Sequence, residues 1–343
     1  MGVEIGLYTF GDISPDPATG TTIGVAQRYR EILAAADLAD QAGLAIFAFG
    51  EHHRPDIPIS SPAVMMAAVA ARTKRIRVGS AVTILSTLDP VRVFEDFATV
   101  DLVSDGRAEM IAGRGTFLES FPLFGVSLDD YAAVFEEKLG LLLALRDAER
   151  VTWQGRFRPP LENAPVVPRP VQDPLPIWIG TGGNADNAVS AARMGLPLTL
   201  ANITLPPASL APQVRDYQRI GAEAGFGPDR IRVSLGGHMH VADTSQGARD
   251  GFYPYYAQYF LLHAPKPDYA RTIPRDEYDR RAAADGPLFV GSPQEIVDKI
   301  LWEKELFGHQ RYLAQIDLGG LPFAKVARTI ELLEAKVLPA LRA

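Results

Sequence analysis

Cysteine is absent from the 343-residue chain. That excludes disulfides, thiolate metal sites, iron–sulfur clusters and cysteine nucleophiles. Runs of one charge sign are missing too. The formal net charge is −7, and no Lys/Arg cluster is long enough to line a nucleic-acid groove, so no nucleic-acid partner is expected. No stretch approaches the ~18 consecutive apolar residues that a membrane span needs, so no membrane association is expected either. The opening Met1-Gly2-Val3-Glu4-Ile5 lacks a basic region followed by an apolar one, so it does not read as a signal peptide and a cytoplasmic enzyme is the default expectation. What is present is ordinary for a globular protein with a large core: 47% apolar and 22% charged residues.

Short apolar runs rich in β-branched and aromatic residues alternate with longer helical patterns. The runs 3–10, 44–49, 76–84, 108–112, 175–179, 196–201, 231–241 and 311–316 read as eight strands. Helical stretches follow at 26–41, 61–72, 90–103, 129–145, 184–194, 210–224, 245–262, 293–307 and 323–338. Most strands are apolar at consecutive positions, as in a parallel sheet covered by helices. Strict alternation favours one closed (β/α)₈ TIM barrel domain over 1–343, with an open doubly wound sheet as the alternative. Two irregular stretches, 151–174 and 264–286, read as rim-loop insertions over the active-site face.

Three strand ends carry candidate chemistry. Phe49-Gly50-Glu51-His52-His53 stacks ionisable groups where barrels place reactive side chains; a hydrogen-bonded rim cluster is the bland alternative. Gly180-Thr181-Gly182-Gly183-Asn184 is a glycine-rich turn feeding a helix, so its N–H groups and dipole end suit a phosphate ester. A dinucleotide fingerprint fits less well, because no Asp or Glu near residue 200 is available for a ribose, and a plain structural turn stays open. Ala112-Gly113-Arg114-Gly115 ends the fourth strand, where glycines allow close approach and Arg partners a phosphate. Arg114 and the turn come from adjacent strands, and their convergence points to a phosphorylated cofactor. A metal is the weaker reading: His238 and His240 share a strand face and could join His52 or His53, but no carboxylate is placed to complete the set.

These stretches resemble the bacterial luciferase-like (LLM class) flavin-dependent monooxygenase family over almost the whole chain. The carrying pieces are Glu51-His52-His53, the run from Asp89 to Asp96, the run from Leu102 to Arg107, Gly113-Arg114-Gly115, Phe289-Val290-Gly291-Ser292-Pro293 and Gly319-Gly320-Leu321-Pro322. The resemblance implies FMN in a barrel that dimerises through outer helices. It implies an isoalloxazine resting against a non-prolyl cis peptide at Ala81–Val82, and a phosphate held by Arg114 and by the turn leading to Asp186, Asn187 and Ser190. The implied cofactor set also includes Gly113, Thr116, Gly182, Gly183 and Asn184. Relatives often have Glu-Ser where this chain has Asp186-Asn187, which leaves the Asp186 side chain without a clear role. His52 aligns with the family's acid–base histidine beside the flavin, with Glu51 as its orienting partner and His53 on the wall. The implied chemistry is reduced FMN reacting with O₂ to a C4a-peroxide that attacks a small organic substrate, the FMN being reduced by a separate NAD(P)H:flavin reductase. Tyr8, Phe10, His53, Phe117, His240 and the 264–286 loop are the expected substrate lining. F420-dependent hydride transfer and a catalytically silent flavin-binding subunit are the alternatives, and light emission is not expected.

Overall fold

The computed structural model describes residues 2–264 and 267–342. Eight parallel strands form the barrel: β1 (Glu4–Thr9), β2 (Ile46–Phe49), β3 (Arg77–Ser80), β4 (Ala108–Gly113), β5 (Ile177–Thr181), β6 (Leu198–Ala201), β7 (Val233–Val241) and β8 (Arg311–Gln315). Each pairs in parallel with the next, and β8 returns to β1, so the sheet closes and the open doubly wound alternative is excluded. The run read as one strand over 76–84 is broken after Ser80; the Ala81–Val82 bond is cis, as the resemblance implied, and Thr83–Ile84 then pairs with the end of β4. Phe289–Gly291 adds a further strand beside the end of β7.

The two excursions have more structure than the sequence suggested. Arg150–Trp153 and Leu161–Pro165 form an antiparallel hairpin, with Pro165 at its last position, where no further ladder bond is needed. Within the second stretch, Arg275–Arg281 is a helix bound by the i,i+4 pairs Arg275–Asp279, Arg280–Asp276 and Arg281–Glu277. Residues 265 and 266 of that loop lie outside the described residues. Among the described residues, no helix is long and apolar enough to cross a membrane.

The core has two layers. Tyr8, Ile46, Ala48, Ile111, Trp178 and Leu313 fill the barrel interior, and a larger shell packs between barrel and helices. Lower in the barrel, fully buried Arg311 donates to Glu109 at 2.6 Å and stacks over Trp178. Several motifs of the resemblance turn out to be helix punctuation. Asp89 accepts from Val91 N–H with Pro90 at the first helical position, and Ser292 caps the helix Pro293–Phe307. Arg107 bonds the carbonyls of Ala70, Thr73, Ile76 and Ser104, tying helix ends to β4.

Candidate active site

All three motif-bearing strand ends open on one face, the C-terminal mouth of the barrel. After β2 the chain stays extended, so Glu51 and His53 project to one side and His52 to the other. The hydrogen bonds follow that parity. Glu51 Oε1 lies 3.0 Å from His53 Nε2, while Oε2 accepts from Ile84 N–H at 2.9 Å. Glu51 therefore ties β2 to the segment after the cis bond and pairs with His53; it is not the orienting partner of His52. His53 sits edge-on to Phe124, 4.9 Å away.

His52 is buried between two aromatic edges, with Phe10 and Phe117 each at 4.8 Å. Tyr8 extends this wall, 5.4 Å from Phe10. The carboxylate facing His52 is Glu119, with its Oε1 3.8 Å from Nδ1. That is an ion-pair distance, longer than a hydrogen bond, and neither atom has another partner. Burial alone would push Glu119 up, but His52 and the backbone N–H groups of Glu119 and His53 together outweigh it and hold the carboxyl below its ordinary range. The sequence signal for Glu119 was weak: it lies beyond the Gly-Arg-Gly motif in a stretch with no regular period.

The glycines at the ends of β4 and β5 serve packing. A Cβ on Gly113 would come 2.6 Å from Val82 Cγ2, and one on Gly180 would come 2.7 Å from Val82 Cγ1. Gly113 thus makes room for Val82, where the sequence suggested close approach to a ligand. Arg114, just beyond, is half-buried, with its guanidinium 5.8 Å from the Tyr131 ring and 5.5 Å from that of Phe135. It makes no ion pair among the described residues, and its Nε has no hydrogen-bond partner. Thr116 beside it is exposed.

Ala112 pairs with Ile179, so two residues further on Arg114 stands alongside Thr181. The turn there has Gly183 at φ +98°, a conformation that favours glycine. Its backbone N–H groups are less free than expected. The Asn184 side chain accepts from Asp186 N–H at 2.9 Å and Asn187 N–H at 3.3 Å, capping the helix Ala185–Arg193 itself. An anion would use Arg114 and take the place of the Asn184 side chain at the helix N-terminus. Gly182 and Asp186 are exposed and Ser190 is half-buried, while Asn187 is buried with its Oδ1 unpartnered.

His240 is not brought to this group. It stacks on Phe252 at 5.0 Å and 9°, beside Thr329, and burial pushes it down to about 4. The candidate metal set is likewise not assembled: among the described residues no three His, Asp or Glu side chains stand close enough to hold an ion. A surface depression of about 380 Å³ beside Asp37, Asp40 and Thr73 lies at the opposite, N-terminal end of the strands.

A second polar cluster escaped the sequence reading. Arg28 donates to Asp317 Oδ2 at 2.9 Å and to its carbonyl at 2.7 Å, and Thr9 Oγ1 donates to the same carboxylate at 2.6 Å. Asp12 accepts from Gly319 N–H at 2.9 Å. His263 joins Ser14 at 2.6 Å to Asp56 at 2.8 Å, and Arg54 grips Asp56 at 2.9 and 2.8 Å while lying over Phe117. Burial and the neighbouring Asp12 raise Asp317, against the pull of Arg28. The one legible hint was an aspartate directly after an apolar strand.

The family model described as luciferase-like monooxygenase matches residues 3–310. The oxygenase component of a flavin-dependent trigonelline monooxygenase from Acinetobacter baylyi is 23% identical over 92% of this chain and 90% of its own length. The crystal structure of monooxygenase RslO1 from Streptomyces bottropensis superposes with a TM-score of 0.83 at 25% identity, covering 98% of this chain and 99% of that one. The FMN complex of the oxygenating constituent of 3,6-diketocamphane monooxygenase from Pseudomonas putida has the same fold, with a TM-score of 0.77 at 18% identity, covering 99% of this chain and 98% of that one. Family match and barrel closure agree, and the chain belongs to the luciferase-like monooxygenase family of flavin-dependent oxidoreductase enzymes.

Proposed function

We propose that this chain is the oxygenase half of a two-component monooxygenase that uses reduced FMN and O₂ on a small organic substrate. The observation that carries the reading is Arg114. It is a half-buried arginine with no ion pair among the described residues, held over two rings at the end of the strand next to the one that leads into the helix Ala185–Arg193, and its fork suits a phosphate. Val82, Gly180 and the Ala81–Val82 segment would lie under the ring system, and Asn187 and Ser190 would border the phosphate. When bound, reduced FMN supplies the oxygen-activating chemistry.

The chain's own residues do the rest. His52 turns Nδ1 to Glu119, which leaves Nε2 free to hold or deliver a proton at the reacting group. Phe10 and Phe117 flank its ring edge-on and make the surroundings apolar. The name of the Acinetobacter relative, an oxygenase component, supports supply of reduced flavin by a separate NAD(P)H:flavin reductase. Exposed Val64, Leu102 and Val103 on adjoining outer helices support a homodimer.

The test is to purify the protein and record the spectrum and mass of the cofactor that remains bound, reconstituting with FMN if none does. Bound FMN supports the reading. A deazaflavin mass points to hydride transfer with F420, and a protein that takes up neither overturns the flavin site.

A further inference from the structure

We propose that the β7–β8–β1 side of the mouth is a substrate subsite, in which Gln315 and His238 recognise a neutral group that both donates and accepts a hydrogen bond, as an amide or lactam does. The proposal rests on the reading of this mouth as the reaction site and adds the class of substrate.

Gln315 is fully buried; the Tyr259 hydroxyl lies near its amide, but neither its Oε1 nor its Nε2 completes a hydrogen bond. Burying both ends of an amide unpaired forfeits their hydration with nothing in return, and native proteins rarely leave such groups so. The position explains it. Leu313 belongs to the barrel interior, and strand alternation puts Gln315 on the same face, one layer nearer the mouth. Its partners in register are Tyr8 on β1, also an interior residue, and His238 on β7. His238 is buried with its Nδ1 unpartnered, its ring edge-on to Tyr259 at 5.4 Å and Tyr256 at 5.9 Å. Two neighbouring strands therefore present three unpaired polar atoms on the inward face of the mouth, within an aromatic frame.

The ligand chemistry follows from those atoms. The Gln315 amide offers one acceptor and one donor side by side, which is the complement of another amide. Burial pushes His238 down to about 3, so its imidazole is neutral and its Nδ1 adds one donor or one acceptor, according to tautomer. The charges nearby disfavour an anion. Asp317 and Asp12 lie beside Tyr259, and the Arg28 guanidinium between them, 2.9 and 4.0 Å away, is already committed to them. A carboxylate entering here would face two carboxylates, and the cations within reach, Arg28 and the Arg281 that acts on His238, are already paired with Asp317 and Glu277. A hydrocarbon would leave the Gln315 amide as unpaired as before.

The experiment is calorimetric titration of FMN-loaded protein with δ-valerolactam and, separately, with cyclohexanecarboxylate. The wild type should bind the lactam at least tenfold more tightly than the carboxylate. Gln315→Leu should weaken the lactam at least tenfold while leaving FMN affinity and the melting temperature without ligand unchanged or higher, because an unpaired amide has been removed. Should Gln315→Leu fail to fold, His238→Phe provides the same comparison. Lactam affinity that survives both substitutions, or a wild type that prefers the carboxylate, overturns the subsite. FMN loading is read from the flavin absorbance before each titration. A wild type that does not load FMN refutes the cofactor reading alone, and the lactam titration on flavin-free protein still tests Gln315.

Discussion

Replacing Arg114 with alanine separates the phosphate of FMN from its ring. Charge-assisted hydrogen bonds are worth about 1.5–3 kcal/mol, which at about 1.4 kcal/mol per decade is roughly 10- to 150-fold in affinity. The structure supports the upper part of that range. The guanidinium is half-buried, so solvent screens it incompletely, and no carboxylate competes for it among the described residues. Its contacts with Tyr131 and Phe135 also contribute, at about 0.5–1 kcal/mol for such cation–π pairs. Losing them affects local packing and so acts alike on any flavin. The diagnostic quantity is therefore the ratio of FMN to riboflavin affinity, since riboflavin lacks only the phosphate. Fluorescence titration of flavin-free wild type, Arg114→Ala and Arg114→Lys with both ligands measures it. The ratio should fall at least tenfold for alanine and less for lysine, which keeps the charge but loses the fork. An equal loss for both flavins would refute the placement of the phosphate at Arg114.

Two further outcomes follow from the histidines. His52→Ala should keep the fold and FMN affinity but cut coupled turnover by ~10²–10⁴, the usual worth of one acid–base group, with oxygen released as hydrogen peroxide. Glu119→Gln should reproduce much of that loss and Glu119→Asp recover part of it, whereas His53→Ala, whose partner is Glu51, should be milder; full coupling in Glu119→Gln would remove that carboxylate from the mechanism. The second concerns pH. Burial holds His238 down to about 3, and His240 and His309 to about 4. Between about pH 6.5 and 4 the unfolded chain takes up protons that the folded one refuses, so stability should decline as pH falls, by ~1.4 kcal/mol per unit per histidine. Burial also raises Glu303 to about 8, and the proton it keeps in the folded chain offsets one histidine over most of this range, so His309→Gln should make the slope less steep by ~1.4 kcal/mol per pH unit. Urea unfolding from pH 4 to 7 reads both slopes, and identical slopes would show that His309 is not held neutral.

Strand order was legible because each β/α unit is a local pattern. An apolar run, a stop such as Asp105-Gly106 and a cap such as Asp89 or Ser292 are settled within about twenty residues. The hairpin at 150–165 was not, since its strands are short and largely exposed, and prolines stand in its turn and at its end. The helix Arg275–Arg281 could have been read from its i,i+4 charges, but the density of charge there suggested a loop.

At the mouth, sequence alone determined which residues stand at strand ends: Glu51, His52, Arg114 and the turn at Gly182–Asn184 are placed by counting from an apolar run. It even contained the parity that separates His52 from Glu51, because neighbours on an extended chain face opposite sides. Only the tertiary structure decided who faces whom. Glu119 reaches His52 from the segment beyond β4, Asp317 meets Arg28 from 289 residues away, and Gln315 is left between Tyr8 and His238 without a partner. Such contacts depend on barrel closure, which brings together strand ends that no local period relates. Closure also gave the glycines a packing role that no local pattern shows: in the closed barrel Gly113 and Gly180 yield their volume to Val82.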